Sequence, residues 1–283
     1  LDAAARDLER EGVDTQVGGH DLDRIGRASL LGVSPRGPTD APPVAAGRAS
    51  GRDVVSEVEI ALRFLPSLRY VAVTGTNGKT TTTALVAHLL QALGRRAIAA
   101  GNIGTPLSEV ALDPAPPEWV ALELSSYQLH DTPGVRPLVG ALTNLSPNHL
   151  DRYESVDAYY GDKALLFRNA GPASTWVTNA DDAAVQQLAH GIPGMHARFS
   201  VAGSADACFD RAADTLMLLG APLLRRHELK LLGDHNVENA LCAALSVALA
   251  HPGHRTADAV GLLADGLRSF RGLAHRIEVV GDI

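Results

Sequence analysis

The feature that most constrains the fold is the stretch between Tyr70 and Thr83. It opens with Tyr70-Val-Ala-Val73, a short apolar run of the kind that forms a buried strand. Two glycines follow in Thr74-Gly-Thr-Asn-Gly78, and apolar side chains then recur at helical spacing as far as Leu93. A strand, a glycine-containing turn, the triplet Gly-Lys-Thr and a helix follow one another in the order of a phosphate-binding P-loop.

The residue types of this turn suit a polyphosphate. Glycines let backbone N–H groups approach phosphate oxygens without a clashing Cβ atom, and the helix start adds further N–H groups. Lys79 supplies a compact charge for the β- and γ-phosphates, and Thr80 offers a hydroxyl group to Mg²⁺. Val73 stands where the motif usually has its first glycine, so the sequence predicts a variant P-loop. A chance Gly-Lys-Thr turn ahead of a helix is the alternative interpretation.

Composition narrows the classes of protein that the chain can belong to. With 283 residues it is long enough for about two domains, and its net charge of −7 argues against a nucleic-acid partner bound by a basic surface. No apolar run approaches the roughly 18 residues of a membrane span, and no signal peptide is recognised. Cys208 and Cys242 are too few for a disulfide framework, which favours a cytoplasmic protein.

Lysine is rare in this chain. Only Lys79, Lys163 and Lys230 occur among 25 basic residues. Arginine does not replace lysine where a compact charge or a nucleophilic amine is needed. Lys79 is needed as a compact charge in the P-loop, and the rarity of lysine makes Lys163 a second candidate functional residue. The simpler interpretation of Lys163 is a surface lysine.

Strands and helices alternate along most of the chain, which predicts an α/β fold. We expect a P-loop central domain with a parallel-rich sheet flanked by helices, a partial N-terminal Rossmann-like α/β domain before it, and the start of a C-terminal domain after it. The predicted domain ranges are 1–66, 67–271 and 272–283. Smaller predictions are strands at residues 13–17 and 229–232 and a β-hairpin formed by residues 207–209 and 215–219.

Polar side chains follow several predicted strands, at the edge where parallel sheets bind ligands. Glu123 ends the strand Trp119-Val-Ala-Leu-Glu123, and a buried carboxylate there needs a hydrogen-bonded partner or a metal ion. His149 and Asp151 follow the next strand and are metal or phosphate candidates, although a lone histidine is more often structural.

Three asparagines are further candidates. Asn102 lies in Gly101-Asn-Ile-Gly-Thr-Pro106, where it either binds a ligand or caps its turn. Asn236 and Asn239 share a face at a predicted helix start, where they either contact a nucleotide or cap the helix.

Six stretches together resemble the Mur ligases. They occur in that family's order and cover the chain from about Tyr70 onward. The stretches are Thr74-Gly-Thr-Asn-Gly-Lys-Thr-Thr81, Gly101-Asn-Ile-Gly-Thr-Pro106, Glu123-Leu-Ser-Ser-Tyr-Gln-Leu129, Asn148-His-Leu-Asp-Arg-Tyr153, Gly233-Asp-His-Asn-Val-Glu-Asn239 and Ala274-His-Arg-Ile-Glu278. The P-loop variant is shared with folylpolyglutamate synthases, whereas the second and third stretches are similar to the D-glutamate-adding branch of the Mur ligases.

The resemblance implies an ATP-dependent amide ligase of peptidoglycan precursor synthesis. Its substrates would be UDP-N-acetylmuramoyl-L-alanine and D-glutamate, joined through an acyl phosphate. Two Mg²⁺ ions would neutralise the anions that meet in the site. We also expect a monomer, and the charge and hydropathy described above predict no nucleic-acid partner and no membrane span.

The resemblance further implies roles for individual residues. Lys79, His149 and Lys163 are implied as catalytic residues, and Lys163 as a carbamylated lysine, which requires a free amine. The implied ATP-binding residues are Gly75, Thr76, Asn77, Gly78, Lys79, Thr80, Thr81, Asn236, Asn239, His275 and Arg276. The implied metal ligands are Thr80, Glu123, His149 and the Lys163 carbamate, and the implied substrate contacts are Asn102, Ser125, Gln128 and His149.

The chain departs from the family pattern near both ends, and we expect it to be truncated there. The strand and glycine loop that open the family's N-terminal domain and bind UDP are missing. Ser34-Pro35-Arg36 stands where Ser-Pro-Gly is usual, which puts a side chain beside the expected diphosphate. Almost all of the C-terminal domain is also absent. The alternatives to a D-glutamate ligase are therefore a nucleotide-binding fragment without ligase activity and a related Mur or folylpolyglutamate-type ligase.

Overall fold

A computed structural model of the chain describes residues 2–34, 41–148 and 153–272. The first layer of the fold contains a small parallel sheet of two strands, β1 (Leu30–Val33) and β2 (Asp53–Ser56). Four helices accompany this sheet: α1 (Asp2–Arg10), α2 (Leu22–Arg27), α3 (Pro42–Ala49) and α4 (Glu57–Phe64). Ser56 caps α4, because its hydroxyl accepts the N–H of Glu59.

The strand predicted at residues 13–17 is wrong, because these residues form no regular element. Val13 and Val17 are exposed, and within the described ranges no strand of either sheet pairs with this segment. Two valines flanking polar residues are not enough to make a strand when the backbone has no neighbouring strand to bond.

A second, larger sheet forms the centre of the molecule. Its strands are β3 (Arg69–Thr74), β4 (Ala97–Gly101), β5 (Trp119–Glu123), β6 (Val139–Leu142), β7 (Thr175–Asn179), β8 (Met195–Ser200), β9 (Ala207–Asp210), β10 (Thr215–Leu218) and β11 (Ala221–Arg225). Their spatial order is β11-β10-β9-β8-β7-β6-β3-β5-β4. The pairs from β4 to β9 are parallel, and β10 is antiparallel to both β9 and β11. The predicted hairpin is confirmed as the β9–β10 pair.

Helices cover both faces of this sheet. They are α5 (Lys79–Ala92), α6 (Leu107–Leu112), α7 (Ser126–His130), α8 (Val156–Ala164), α9 (Ala183–Ala189), α10 (Asp234–Ala250) and α11 (Ala257–Ser269). Short 3₁₀ turns lie at Leu165–Phe167, Arg226–Glu228 and Pro252–Arg255. The predicted α/β fold, a parallel-rich sheet flanked by helices, is confirmed, whereas the predicted domain boundaries stay predictions.

The core is divided by β3, whose successive side chains point to opposite faces of the sheet. Val71 and Val73 pack on one side with α5, α10 and α11, and Tyr70 and Ala72 pack on the other. Almost every residue of α10 from Asn236 to Ala248 is buried, so this helix is covered all round. It lies against α5, and that contact brings its first turn to the end of β3.

The strand predicted at residues 229–232 is also wrong. Leu229 and Leu231 are buried as expected, but the guanidinium group of Arg226 donates to both of their carbonyl oxygens at 3.0 Å. These carbonyls therefore bond to an arginine instead of a neighbouring strand.

Several hydrogen bonds join the first layer to the central sheet. The Arg48 guanidinium group contacts the buried Asp131 carboxylate at 2.7 Å, and the Ser56 N–H donates to the Asp131 carbonyl at 2.7 Å. The Glu59 carboxylate accepts the N–H of Gly134 at 2.6 Å. In the part of the chain that the structure describes, no helix is both long and apolar enough to cross a membrane.

Candidate active site

The P-loop turn connects β3 to α5 at the middle of the large sheet, between the ends of β5 and β6. Gly75 and Gly78 have φ angles of +145° and +77°. A Cβ atom would overlap the Thr143 hydroxyl at Gly75 and the Asn239 side-chain oxygen at Gly78. Both positions therefore need glycine for backbone conformation and for space.

Two lysine side chains converge on one carbonyl oxygen of this turn. Lys79 Nζ donates to the Gly75 carbonyl at 3.0 Å and to the Thr76 carbonyl at 2.8 Å. Lys163 Nζ, which comes from α8, donates to the same Gly75 oxygen at 2.7 Å. The structure thus places two amino groups beside the N-terminus of α5, which favours an anion.

Lys163 is buried, with 1% of its surface exposed, so it is not the surface lysine of the simpler interpretation. Burial, followed by the charge of Lys79, lowers the pKa of Lys163 to about 7. Its ammonium group also lies 4.6 Å from the centroid of the Tyr159 ring. A lysine in this environment has a neutral, reactive amine near neutral pH.

Asp162, the neighbour of Lys163, fixes α8 from two sides. Its carboxylate accepts from Tyr153 Oη at 2.9 Å and lies 2.8 Å from His130 Nδ1. The hydrogen bond with Asp162 raises the pKa of His130. These contacts hold the helix that carries Lys163 in place beside the P-loop.

Glu123 lies at the carboxyl end of β5, in register with Val73 of β3, and is 1% exposed. Its Oε1 atom accepts the Asn102 amide at 2.8 Å. Its Oε2 atom is buried with no hydrogen-bond partner among the described residues. A buried carboxylate oxygen without a partner is costly, so this atom is ready to bind a cation.

Asn102 has a second contact with the same strand, because its N–H donates to the Glu123 carbonyl at 3.0 Å. It also lines a cleft of about 720 Å³ between the first layer and residues 101–108. The other walls of the cleft include Ser34, Glu57 and Ile60. Asn102 therefore connects this cleft with Glu123.

Ser125 and Gln128 form a capping box at the start of α7. The Gln128 N–H donates to Ser125 Oγ at 3.2 Å, and the Ser125 N–H donates to Gln128 Oε1 at 3.0 Å. Gln128 Nε2 is buried and has no hydrogen-bond partner among the described residues. The structure gives both residues a structural contact and leaves their implied substrate contact a prediction.

Asn236 and Asn239 reach the P-loop from α10. Asn239 Oδ1 accepts from Thr82 Oγ1 at 3.2 Å, across a separation of 157 residues. Asn239 Nδ2 donates to Asn236 Oδ1 at 3.1 Å, and Asn236 Nδ2 donates to the Leu232 carbonyl at 2.8 Å. The structure therefore brings both predicted asparagines, which lie in the first two turns of α10, to the side of α5.

His149, Asp151, His275 and Arg276 lie outside the described residues, so their implied roles stay predictions. Sequence reasoning missed Asn144, which follows β6 and bonds to the P-loop. The signal was the polar run after that strand, which was interpreted only through its ionisable residues. Within residues 2–34, 41–148 and 153–272, no three His, Cys, Asp or Glu side chains converge as a ready metal site.

Comparison with known proteins identifies the family. The Mur ligase middle domain model matches residues 73–247, which include the P-loop, Glu123, Lys163 and the first turn of α10. The chain belongs to the Mur ligase family.

Curated Mur ligase relatives cover nearly all of this chain. The UDP-N-acetylmuramoylalanine–D-glutamate ligase of Gloeobacter violaceus is 36% identical over 271 residues, which are 96% of this chain and 59% of that protein. The protein of the same name from Anaeromyxobacter dehalogenans is 38% identical over 282 residues, or 95% of this chain and 59% of that protein. The chain thus spans about three-fifths of the length of these relatives.

Solved Mur ligase structures share the fold. A UDP-N-acetylmuramate:L-alanyl-γ-D-glutamyl-meso-diaminopimelate ligase from Neisseria meningitides superposes with a TM-score of 0.63 at 19% identity, covering 95% of this chain and 87% of that one. A UDP-N-acetylmuramoyl-L-alanyl-D-glutamate–2,6-diaminopimelate ligase has the same TM-score at 22% identity, covering 96% of this chain and 67% of that one.

Proposed function

We propose that this chain is the nucleotide-binding part of an ATP-dependent amide ligase that adds D-glutamate to UDP-N-acetylmuramoyl-L-alanine. The main support is the convergence of Lys79 and Lys163 on the Gly75 carbonyl, at a helix start. Two amino groups and the N–H groups of that start suit the triphosphate of ATP. The names of the curated relatives favour the D-glutamate branch over other Mur or folylpolyglutamate-type ligases.

The residues present fit Mg²⁺, which prefers oxygen ligands. The unpartnered Oε2 atom of Glu123 supports a role as a metal ligand, with Asn102 fixing the other carboxylate oxygen. Thr80, the second residue of α5, would supply its hydroxyl to the ion that accompanies the phosphates. A second Mg²⁺ would use His149 and Lys163, and these ions would neutralise the phosphates and the acceptor carboxylate.

We further propose that Lys163 is carbamylated in the active enzyme. Its burial and its pKa of about 7 support this, because a neutral amine is the form that takes up CO₂. The carbamate would convert a cationic side chain into an anionic oxygen ligand at the same place. Arginine at this position would offer no such chemistry.

The muramoyl substrate is expected to occupy the cleft between the first layer and residues 101–108. Asn102 lines this cleft and bonds to Glu123, so a carboxylate presented there would lie near the metal ligands. Its oxygen would attack the γ-phosphate of ATP and release ADP. The amine of D-glutamate would then attack the acyl carbon, form the amide and release phosphate. Such chemistry depends mainly on positioning and charge stabilisation.

The proposal includes the cellular compartment of the enzyme and its oligomeric state. ATP as a substrate and two unpaired cysteines support a cytoplasmic enzyme. We also propose that it acts as a monomer, which size-exclusion chromatography with light scattering would test.

The activity is tested on the full-length parent of this chain. With ATP, Mg²⁺ and UDP-N-acetylmuramoyl-L-alanine, ADP release should depend on D-glutamate and should fall at least about 100-fold in Lys79→Ala, because the phosphates lose their positioned charge. Lys230→Ala, which changes an exposed lysine, is the control and should leave the rate unchanged.

One result of this assay would contradict the proposal, and one measurement on the 283-residue chain would contradict the alternative. A strong preference for another amino acid would remove the D-glutamate assignment. Robust amide formation by residues 1–283 alone would overturn the alternative that this chain binds a nucleotide without ligating.

Carbamylation of Lys163 can be measured by NMR independently of ligase activity. The chain equilibrated with ¹³C-bicarbonate should show a carbamate carbonyl signal by NMR that is lost in Lys163→Met and kept in Lys230→Met. An absent signal in the wild type, or one that survives Lys163→Met, would show that Lys163 is not the modified residue.

A further inference from the structure

The segment after β6 holds the P-loop through a set of hydrogen bonds that no proposed catalytic group uses. The Thr76 N–H donates to the Asn144 carbonyl at 2.9 Å. Thr76 Oγ1 donates to the Ser146 carbonyl at 3.1 Å and accepts the Ser146 N–H at 3.0 Å. Thr143 Oγ1 donates to the Asn77 carbonyl at 2.7 Å. The P-loop and this segment are thus bonded along their length.

The Asn144 side chain makes the most specific of these contacts. Its Oδ1 atom accepts the Asn77 N–H at 2.8 Å, and its Nδ2 atom donates to the Asn77 carbonyl at 3.1 Å. One amide side chain therefore bonds both polar groups of one backbone residue, as a neighbouring strand would. Only a side chain with one donor and one acceptor at this spacing can do so, which excludes aspartate and leucine.

These bonds decide which N–H groups remain for phosphate. The N–H groups of Thr76 and Asn77 already donate to Asn144. Beyond them, α5 begins at Lys79, and the first N–H groups of a helix have no acceptor within the helix. The positively charged end of the turn therefore starts at Gly78 and continues into the first turn of α5.

We propose that Asn144 is a positioning residue for nucleotide binding. It fixes the Asn77 peptide before ATP arrives, so that the N–H groups from Gly78 onward point at the phosphates and Asn77 N–H does not bind phosphate itself. Preorganisation of this kind raises affinity, because the loop does not have to be ordered on binding. The inference rests on the proposed function, since it assumes that ATP is the anion.

The first test measures the Kd of Mg·ATP for the 283-residue chain by calorimetry. Asn144→Ala should raise the Kd about tenfold, the effect of losing roughly one net hydrogen bond's contribution. Asn169→Ala is the matched control, because its amide donates to the Pro133 and Val135 carbonyls, both at 2.8 Å, before β6 begins. That variant should bind Mg·ATP as the wild type does. An unchanged Kd in Asn144→Ala, or an equal rise in both variants, overturns the proposal.

The second test needs no nucleotide and separates this inference from the proposed function. Hydrogen exchange of the Asn77 amide, followed by NMR, should be at least about tenfold faster in Asn144→Ala, because the acceptor of that N–H is gone. Asn144→Asp keeps an acceptor, so it should retain the protection of Asn77 while its charge weakens Mg·ATP binding. Unchanged exchange in Asn144→Ala overturns the inference.

The remaining outcomes are also decisive. If the wild type does not bind Mg·ATP, the proposed function fails while the exchange data still decide whether Asn144 fixes the turn. If Asn144→Ala does not fold, Asn144→Ser, whose short side chain lacks the paired acceptor and donor, becomes the deciding variant. A wild-type Kd for Mg·ATP together with unchanged exchange of the Asn77 amide in that variant overturns the positioning role.

Discussion

At the scale of single residues, the P-loop region places two lysine side chains close together. Lys79 and Lys163 share the Gly75 carbonyl, and Lys163 is almost completely buried. Desolvation by burial disfavours the charged form of Lys163 most, and the nearby Lys79 charge disfavours it further. Packing alone would favour an apolar side chain at position 163, so the buried lysine lowers the free energy of unfolding. Destabilising arrangements of this kind are typical of functional sites.

The pH dependence of stability should report this cost. The pKa of Lys163 is about 7 in the folded chain and lies near 10.4 in an unfolded one. Between these values the unfolded state binds more protons, so the free energy of unfolding should rise with pH, by up to about 1.4 kcal/mol per unit. Denaturant titrations in metal-free, CO₂-free buffer should show the wild type gaining about 2 kcal/mol relative to Lys163→Met between pH 7 and pH 9.

Lys230→Met is the control for this titration, because Lys230 is exposed. Its unfolding free energy should follow that of the wild type across the same range. A pH-independent difference between the wild type and Lys163→Met would show that the buried amine does not change its protonation between these conditions.

At the scale of elements, α5 is bounded by two glycines with left-handed backbone. Gly78 precedes the helix with φ +77°, and Gly94 follows it with φ +73°. At the C-terminal end, the Arg95 N–H donates to the Leu90 carbonyl at 3.0 Å, in the pattern of a Schellman motif. The two glycines differ in their surroundings, because Gly94 faces open space whereas Gly78 touches Asn239 of α10.

Alanine at these two glycines separates backbone strain from packing. Gly94→Ala should lower the free energy of unfolding by about 1 kcal/mol, because it places a side chain at positive φ. Gly78→Ala should cost about 1–3 kcal/mol more, because the added methyl displaces Asn239 from its bond with Thr82. Urea denaturation measures both values. In a double-mutant cycle, Gly78→Ala should destabilise the Asn239→Ala variant by only about as much as Gly94→Ala destabilises the wild type. If the effects of Gly78→Ala and Asn239→Ala simply add, Asn239 is not the group that the methyl displaces.

At the scale of the whole molecule, the site is assembled from the ends of β3, β5 and β6 and from α8 and α10. The sequence predicted the P-loop, the α/β fold and the polar residues at strand ends, because these depend on local residue types and periodicity. It did not predict the order of strands across the sheet. That order places β6 directly beside β3, and it is the reason that Asn144 reaches Asn77.

The wrongly predicted strand at residues 229–232 has a different cause. Residues 229–232 have an apolar pattern that suits a strand, yet the carbonyls of Leu229 and Leu231 bond to Arg226. These carbonyls lie only three and five residues from Arg226, yet a side-chain donor of this kind leaves no periodic signal in the chain. The burial of Lys163 was likewise not readable from its helix, whose polar residues Asp157 and Asp162 suit an exposed face.

The packing of α10 on α5 has a consequence for biosynthesis. The P-loop leaves the ribosome well before the first turn of α10, since Thr82 and Asn239 are 157 residues apart. Translation at about 5–20 residues per second leaves the apolar face of α5 without this cover for roughly 8–30 seconds. The nucleotide pocket is thus completed only after all nine described strands of the large sheet have been made.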